Sequence, residues 1–263
     1  MEWGAMIKLV AFDVDGTLRE RDYMPESTKR AVVELKERGV TLTLCTGRSE
    51  YEMASLREEL GIEWAVTCNG CHIGRNGKTV AGTKFPKETV EHWLELAEKR
   101  GHALLLYGAE LMLSNRPDDP RFLRAREEIG FLEPVKLNPG EEVPDVYQCI
   151  MFIDEEDEPA YLGENRETYY LHRWRPWAID VNPGGMHKAA GLKRLLELLG
   201  VKPEEAAAFG DGFNDLEMLE YVGVGIAMGN APDRVKAQAR HVTAHMHEGG
   251  IAHGVREFIL AGR

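Results

Sequence analysis

The sequence predicts an α/β protein: a doubly wound, mostly parallel sheet, with an α+β segment inserted into it. Three observations carry this. The apolar run Met6 to Phe12 closes on Asp13-Val14-Asp15-Gly16-Thr17, as a strand buried on both faces would. Strand and helix patterns then alternate up to Thr67, the order that gives parallel, right-handed crossovers. The same alternation resumes at Lys188, after a stretch of different texture. The expected division is a Rossmann-like core of residues 1–82 and 183–263, and an inserted α+β cap of residues 83–182.

Each element has a local reason. Pro25 to Arg38 reads as a helix with Pro in its first turn, an Ala31, Val32, Leu35 stripe and Gly39 as its stop. Val40 to Cys45 is the second strand. Ser49 caps a helix that runs to Leu60 and ends at Gly61. Trp64 to Thr67 is a third strand, and Arg75-Asn76-Gly77 turns a hairpin between Cys71 and Ala81. In the insertion, Glu88 to Lys99 and Pro120 to Ile129 read as helices, and Ala103 to Leu113 and Val146 to Ile153 as strand material. Glu155 to Glu164 reads as a further helix, and Thr168 to His172 with Trp177 to Val181 as a hairpin. After it come the helix from Lys188 to Leu199, a strand Ala206 to Gly210 and a helix Leu216 to Tyr221. A strand Val222 to Ala227 and helical patterns at Pro232 to Ala239 and Gly250 to Leu260 complete the chain.

The 263 residues are enough for one large or two modest domains. A net charge of −12 argues against nucleic acid or an anionic membrane surface as the main partner. It allows a phosphorylated substrate, because a local cation inverts the field at a site. No apolar run is long enough to span a bilayer and no signal segment is evident, so a cytoplasmic location is the expectation. Cys68-Asn69-Gly70-Cys71 has redox-motif spacing, but no second pair completes a zinc site and Asn69-Gly70 suits a turn. His241, His245 and His247 read as a solvated loop rather than a metal site.

The chemistry sits at strand ends, where open α/β sheets bind ligands. Asp13 and Asp15 would repel each other and need a cation. Thr46-Gly47-Arg48 closes the second strand, and Gly210-Asp211-Gly212-Phe213-Asn214-Asp215 closes the strand from Ala206. Lys188, in a first helical turn, opposes the helix dipole and so needs a reason to be there.

These four motifs, in this order, resemble the haloacid dehalogenase superfamily of phosphohydrolases. Gly225 to Ala231 and Gly249 to Ala252 are similar to its Cof-type subgroup. The resemblance implies Asp13 as nucleophile forming an aspartyl-phosphate, and Asp15 as the acid and then the base. It implies Mg²⁺ held by the Asp13 and Asp211 side chains and the Asp15 backbone carbonyl, with Asp215 as a further ligand. Thr46, Gly47 and Lys188 would meet the phosphate, with Arg48, Asn69 and Asn214 as further substrate contacts. In the cap, Asp180 would accept hydrogen bonds from a sugar or polyol leaving group, with Arg173 or Arg175 as helpers. Alternation puts Trp177, Ile179 and Val181 on the opposite face from Ala178 and Asp180.

The expected function is a Mg²⁺-dependent phosphatase of small organic phosphates, sugar phosphates or a phosphorylated cofactor, acting as a monomer or homodimer on small metabolites. Two rivals stand beside it. A sugar phosphomutase or phosphotransferase of the same superfamily would need a second phosphate site in the cap. A receiver-like signalling module would be about half this length, with no insertion.

Overall fold

The computed structural model describes residues 6–163 and 166–261. The chain runs β1 (Leu9–Phe12), α1 (Glu26–Glu37), β2 (Thr41–Cys45), α2 (Glu50–Leu60) and β3 (Trp64–Thr67), then the hairpin β4 (His72–Arg75) and β5 (Lys78–Gly82). Ser49 caps α2 as expected: its hydroxyl accepts the Glu52 N–H, and the Glu52 carboxylate accepts the Ser49 N–H. A second unit follows with α3 (Lys87–Arg100), β6 (Ala103–Tyr107), β7 (Met112–Ser114), α4 (Pro120–Ile129), β8 (Val135–Lys136) and β9 (Gln148–Phe152). It continues with α5 (Glu158–Leu162), β10 (Tyr169–Arg175) and β11 (Ala178–Pro183). The chain then returns through α6 (Lys188–Leu199), β12 (Ala206–Gly210), α7 (Leu216–Tyr221), β13 (Val224–Ala227), α8 (Asp233–Gln238), β14 (His241–Val242) and α9 (Gly250–Gly254). A π-helical turn, Val255–Leu260, ends the described chain.

Among the described residues the first sheet has the order β14-β13-β12-β1-β2-β3-β4-β5. It is parallel from β14 to β3 and antiparallel beyond. The chain proceeds outward from β1 through β2 and β3, then returns to lay β12 on the other side of β1. The carboxyl end of β1 is therefore a topological switch point, where such sheets bind ligands. Alternation on β1 sends Val10 and Phe12 toward α1 and α2, and Leu9 and Ala11 toward α6 and α7. Both faces are apolar, so the strand reads as an unbroken hydrophobic run.

The second sheet has the order β10-β11-β9-β6-β7-β8. One face packs on α3 and α5 through Trp93, Leu104, Met151, Ile179 and Val181. The other packs on α4 through Leu105, Phe122, Ile150 and Phe152, and continues to Cys68 and Cys71 of the first unit.

The strand material expected over Ala103 to Leu113 is divided between β6 and β7, which fold back on each other. Three other expectations are corrected. The helix expected over Glu155 to Glu164 is a 3₁₀ turn followed by α5, ending before Gly163, and Glu164 lies outside the described residues. Trp177 sits in the β10–β11 turn rather than in the strand, so it packs beside Ala178 and Trp174 instead of with Ile179 and Val181. His241 belongs to β14, stacked on Phe258, while His245 and His247 lie in the segment that follows.

One close approach fixes where α6 begins. A Cβ on Gly191 would meet Gly70 Cα at 2.5 Å and Val66 Cγ1 at 2.6 Å. Helix propensity alone would favour alanine there by about 1 kcal/mol. Overpacking against backbone costs about 1–3 kcal/mol and would push α6, with Lys188 at its first turn, away from the sheet. Gly191→Ala is expected to lower the thermal midpoint by a few degrees. A midpoint at or above wild type would show that α6 slides freely.

Candidate active site

The strand ends bring the four motifs together. Asp13 follows β1 directly, and its N–H continues the ladder by donating to the Phe209 carbonyl. Lys188 Nζ donates to Asp13 Oδ1 at 2.6 Å and to Asp215 Oδ1 at 2.7 Å, all three side chains being buried. The burial that makes a Lys in a first helical turn costly is answered by these two carboxylates. Burial alone would lower the Lys188 ammonium; Asp13 and Asp215 outweigh it and hold it above its usual range. Burial, then Asp215, push the Asp13 carboxyl well above its ordinary value. The same two causes push Asp211 up to about 6.

Carboxylate oxygens of Asp13, Asp211 and Asp215 all lie within 4.8 Å of one another. Each has its own support. Asp215 Oδ2 accepts from the N–H groups of Asp211 and Gly212. Asp211 Oδ1 accepts from Thr17 Oγ1 at 2.9 Å, and Asn230 Nδ2 donates to Asp211 Oδ2 and to the Gly16 carbonyl. Gly16 is left-handed at φ 83°, and a Cβ there would meet Asp211 Oδ2 at 2.3 Å, so only glycine permits this approach. Thr17 and Asn230 carried no role in the sequence reading. Asn230 stands in the stretch that resembles the Cof-type subgroup, which was the available signal.

The Thr46-Gly47-Arg48 loop faces these carboxylates across the cleft. Thr46 Oγ1 accepts the Arg48 N–H at 3.2 Å, which leaves its own proton to donate. The Gly47 carbonyl accepts from Gln148 Nε2, a residue of β9. Arg48 was expected to touch substrate. It holds Asp15 instead, with Nε to Oδ2 at 2.6 Å and Nη2 to Oδ1 at 2.8 Å. Its other donors reach Glu52 and the Ile129 and Gly130 carbonyls, so every guanidinium N–H has an acceptor. Burial opposes the charge on Arg48, and Asp15 outweighs it.

Asn69 also departs from expectation. Cys68 and Asn69 are both left-handed, at φ 52° and 49°, which turns the Asn69 side chain under the cleft and into the seam between the two sheets. There its Nδ2 faces Gln148, Asp180 and Asn182, and its Oδ1 accepts from Asn214 Nδ2. Asn214 lines the cleft and is tied to Asn69 rather than to Lys188.

Asp180 lines the cleft from the second sheet, with Tyr107, Ile150, His172 and Trp174. Trp174 Nε1 donates to Asp180 Oδ1 at 2.8 Å. The helpers proposed from sequence point elsewhere: Arg173 pairs with Glu158, and Arg175 with Glu128. The strand extends to Arg175 rather than stopping at His172, so alternation turns His172 and Trp174 to the cleft and the two arginines away.

The Cys68–Cys71 pair and the His241, His245 and His247 group do not line this cleft. The four cysteines are buried, unpaired thiols, and burial pushes Cys71 up to about 12. Among the described residues no histidine joins a metal-holding group. No described helix is long and apolar enough to cross a membrane.

Comparison with known proteins agrees with this geometry. YkrA of Bacillus subtilis, a protein with a provisional phosphatase name, is 35% identical over 257 residues, which cover 96% of this chain and 98% of that protein. The 5-amino-6-(5-phospho-D-ribitylamino)uracil phosphatase YitU of the same organism is 31% identical over 271 residues, covering 95% of this chain and 97% of that one. A solved sugar phosphatase of HAD subclass IIB superposes with a TM-score of 0.82 at 28% identity, covering 95% of this chain and 98% of the other. The sequence profile of the haloacid dehalogenase-like hydrolases matches residues 10–255. The chain thus belongs to the haloacid dehalogenase-like hydrolases, an enzyme of the phosphatase kind.

Proposed function

We propose that this chain is a Mg²⁺-dependent phosphohydrolase of small organic phosphate monoesters, working through an aspartyl-phosphate on Asp13. The observation that carries the reading is the Asp13 carboxylate, buried at the switch point and held by Lys188 beside a second acidic group. An Asp13 oxygen attacks phosphorus as the ester P–O bond breaks, and Asp15 protonates the departing oxygen. Asp15 then takes a proton from water, whose oxygen attacks phosphorus and frees Asp13. Thr46, with its proton free to donate, the Gly47 N–H and Lys188 stabilise the phosphoryl oxygens.

The acidic group fits a hard divalent cation. Its donors are all carboxylate oxygens, and Lys188 alone leaves Asp13 and Asp211 raised. Asp13, Asp211 and the Asp15 carbonyl would hold Mg²⁺, with Asp215 beside them. Bound there, the ion supplies a Lewis acid that offsets charge on the phosphoryl oxygens.

Residues 83–182 act as a cap over the cleft. Arg48 joins this cap to the chemistry, because the guanidinium that fixes Asp15 also bonds carbonyls at the end of α4. Arg48 is thus a positioning residue. The substrate is a sugar phosphate or phosphorylated cofactor, a range supported by the named activities of YitU and the subclass IIB sugar phosphatase. Nothing supports the receiver-like reading, since the insertion carries a whole second sheet. A mutase needs a second phosphate site in the cap, and the cap offers Asp180 to the cleft instead.

Asp13→Asn should lower kcat/KM by at least about a thousandfold, some 4 kcal/mol, because the amide is not a nucleophile toward phosphorus. Retention of a tenth of the wild-type value would refute covalent catalysis by Asp13. Chelation should abolish turnover. Mg²⁺ at about a hundredfold excess over Kd should stabilise the wild-type fold by about 2.7 kcal/mol, read as a rise in Tm. Asp211→Asn should lose most of that rise, and an equal rise in both proteins would remove Asp211 from the ligand set. Arg48→Lys loses the bidentate grip on Asp15. It should slow alkyl esters by about a hundredfold and nitrophenyl phosphate far less, since nitrophenolate leaves without a proton. Equal loss on both would mean that Arg48 serves the fold alone.

A further inference from the structure

We propose that the cap wall selects esters by charge: it accepts leaving groups that are uncharged or cationic and bear an O–H or N–H donor, and it rejects those bearing a second anion. The proposal rests on the phosphohydrolase reading and names the substrate class of that same cleft.

The wall is built by strand register. Ile150, Asp180 and His172 are direct neighbours across β9, β11 and β10, and so form one row on the face above the cleft. Trp174 extends the row's outer end. Asp180 Oδ1 accepts from Trp174 Nε1 at 2.8 Å, and Oδ2 accepts from Asn69 Nδ2 at 3.1 Å. Each carboxylate oxygen keeps a second acceptor position. Burial raises the Asp180 carboxyl, while His172, Trp174 and Asn69 favour its ionised form. The His172 ring stands opposite Asp180 in the register, in the same row of the wall.

No lysine or arginine of the described residues is free where a second anion would sit. Among the described residues, the Lys and Arg side chains lining the cleft are Lys188 and Arg48. Lys188 is held by Asp13 and Asp215, and Arg48 has no N–H left. Arg173 and Arg175 are turned to Glu158 and Glu128. The rest of the wall is largely apolar, with Phe131 and Ile150, and the cavity is about 180 Å³. An anion there would be desolvated beside a carboxylate without a partner. An O–H or N–H donor would instead complete the acceptor set of Asp180.

The test is a panel of ester pairs whose leaving groups differ by one added anionic group, a carboxylate or a phosphate. Glycerol phosphate is set against phosphoglycerate, phosphoethanolamine against phosphoserine, and a hexose monophosphate against a hexose bisphosphate. Wild-type enzyme should favour the first of each pair by at least about tenfold in kcat/KM. Asp180→Asn should narrow the ratio by lowering KM for the anionic partner, and Asp180→Glu should keep it. Nitrophenyl phosphate reports the phosphate end throughout. Binding of the same pairs to Asp13→Asn protein, measured by calorimetry, reads the preference independently of turnover. Equal or better kcat/KM or affinity for the anionic partners overturns the proposal. An unchanged ratio in Asp180→Asn, with nitrophenyl phosphate still cleaved, overturns it too. Absence of turnover with every ester would count against the phosphohydrolase reading, and the calorimetric ratio would still decide this one.

Discussion

Everything in the cleft depends on one buried ammonium. Lys188 stands between Asp13 and Asp215 with almost no access to water. Removing one partner of such a cluster leaves an uncompensated buried charge, at a cost of about 3–5 kcal/mol. The fold is arranged so that this need not happen. β1 delivers Asp13, β12 delivers the loop with Asp211 and Asp215, and α6 is pinned to the loop at Gly70 by the absence of a side chain at Gly191. Three carboxyl groups against one lysine still leave an excess of negative charge, and the raised Asp13 and Asp211 are its signature.

The seam between the two sheets is held by polar contacts as well as apolar ones. Gln148 and Asn182 from the second sheet meet Asn69, the Gly47 carbonyl and the Cys68 carbonyl. Nearly all these groups are buried, so each would be costly unpaired. Such a seam specifies one docking of the second sheet, because sliding it by a residue would strand several donors at once. Arg48 adds a charged tether at the other side of the cleft.

The fold was legible because its signals are periodic. Unbroken apolar runs gave β1 and β12, apolar residues interleaved with threonine gave β2, the cap at Ser49 gave α2, and Asn76-Gly77 gave the hairpin. The motifs at strand ends were legible for the same reason, since strand position dictates where their side chains emerge. The parts misread lack a local rule. Two successive left-handed residues at Cys68 and Asn69 redirect Asn69 out of the cleft, and nothing in Cys-Asn-Gly-Cys demands both. Arg48 has donors enough for several partners, and its choice of Asp15 depends on a residue 33 positions away. On β10 the strand was cut short by three residues and holds a bulge near Arg175, which hid His172 and Trp174 behind the more conspicuous arginines.

The parallel pairing of Leu9 with Ala206 has a consequence for how the molecule comes into being. Until β12 has been synthesised, β1 has a neighbour on one side only, with its backbone groups open on the other. Asp13 meanwhile has no ammonium, because Lys188 emerges after the whole second sheet. At about 5–20 residues per second, the ribosome holds the chain in that state for many seconds. The second sheet has no such dependence: its strands all come from one continuous stretch, 103–183. Of the two units it is therefore the one able to form first on the ribosome, and it would serve as a clamp that brings the separated halves of the first sheet together.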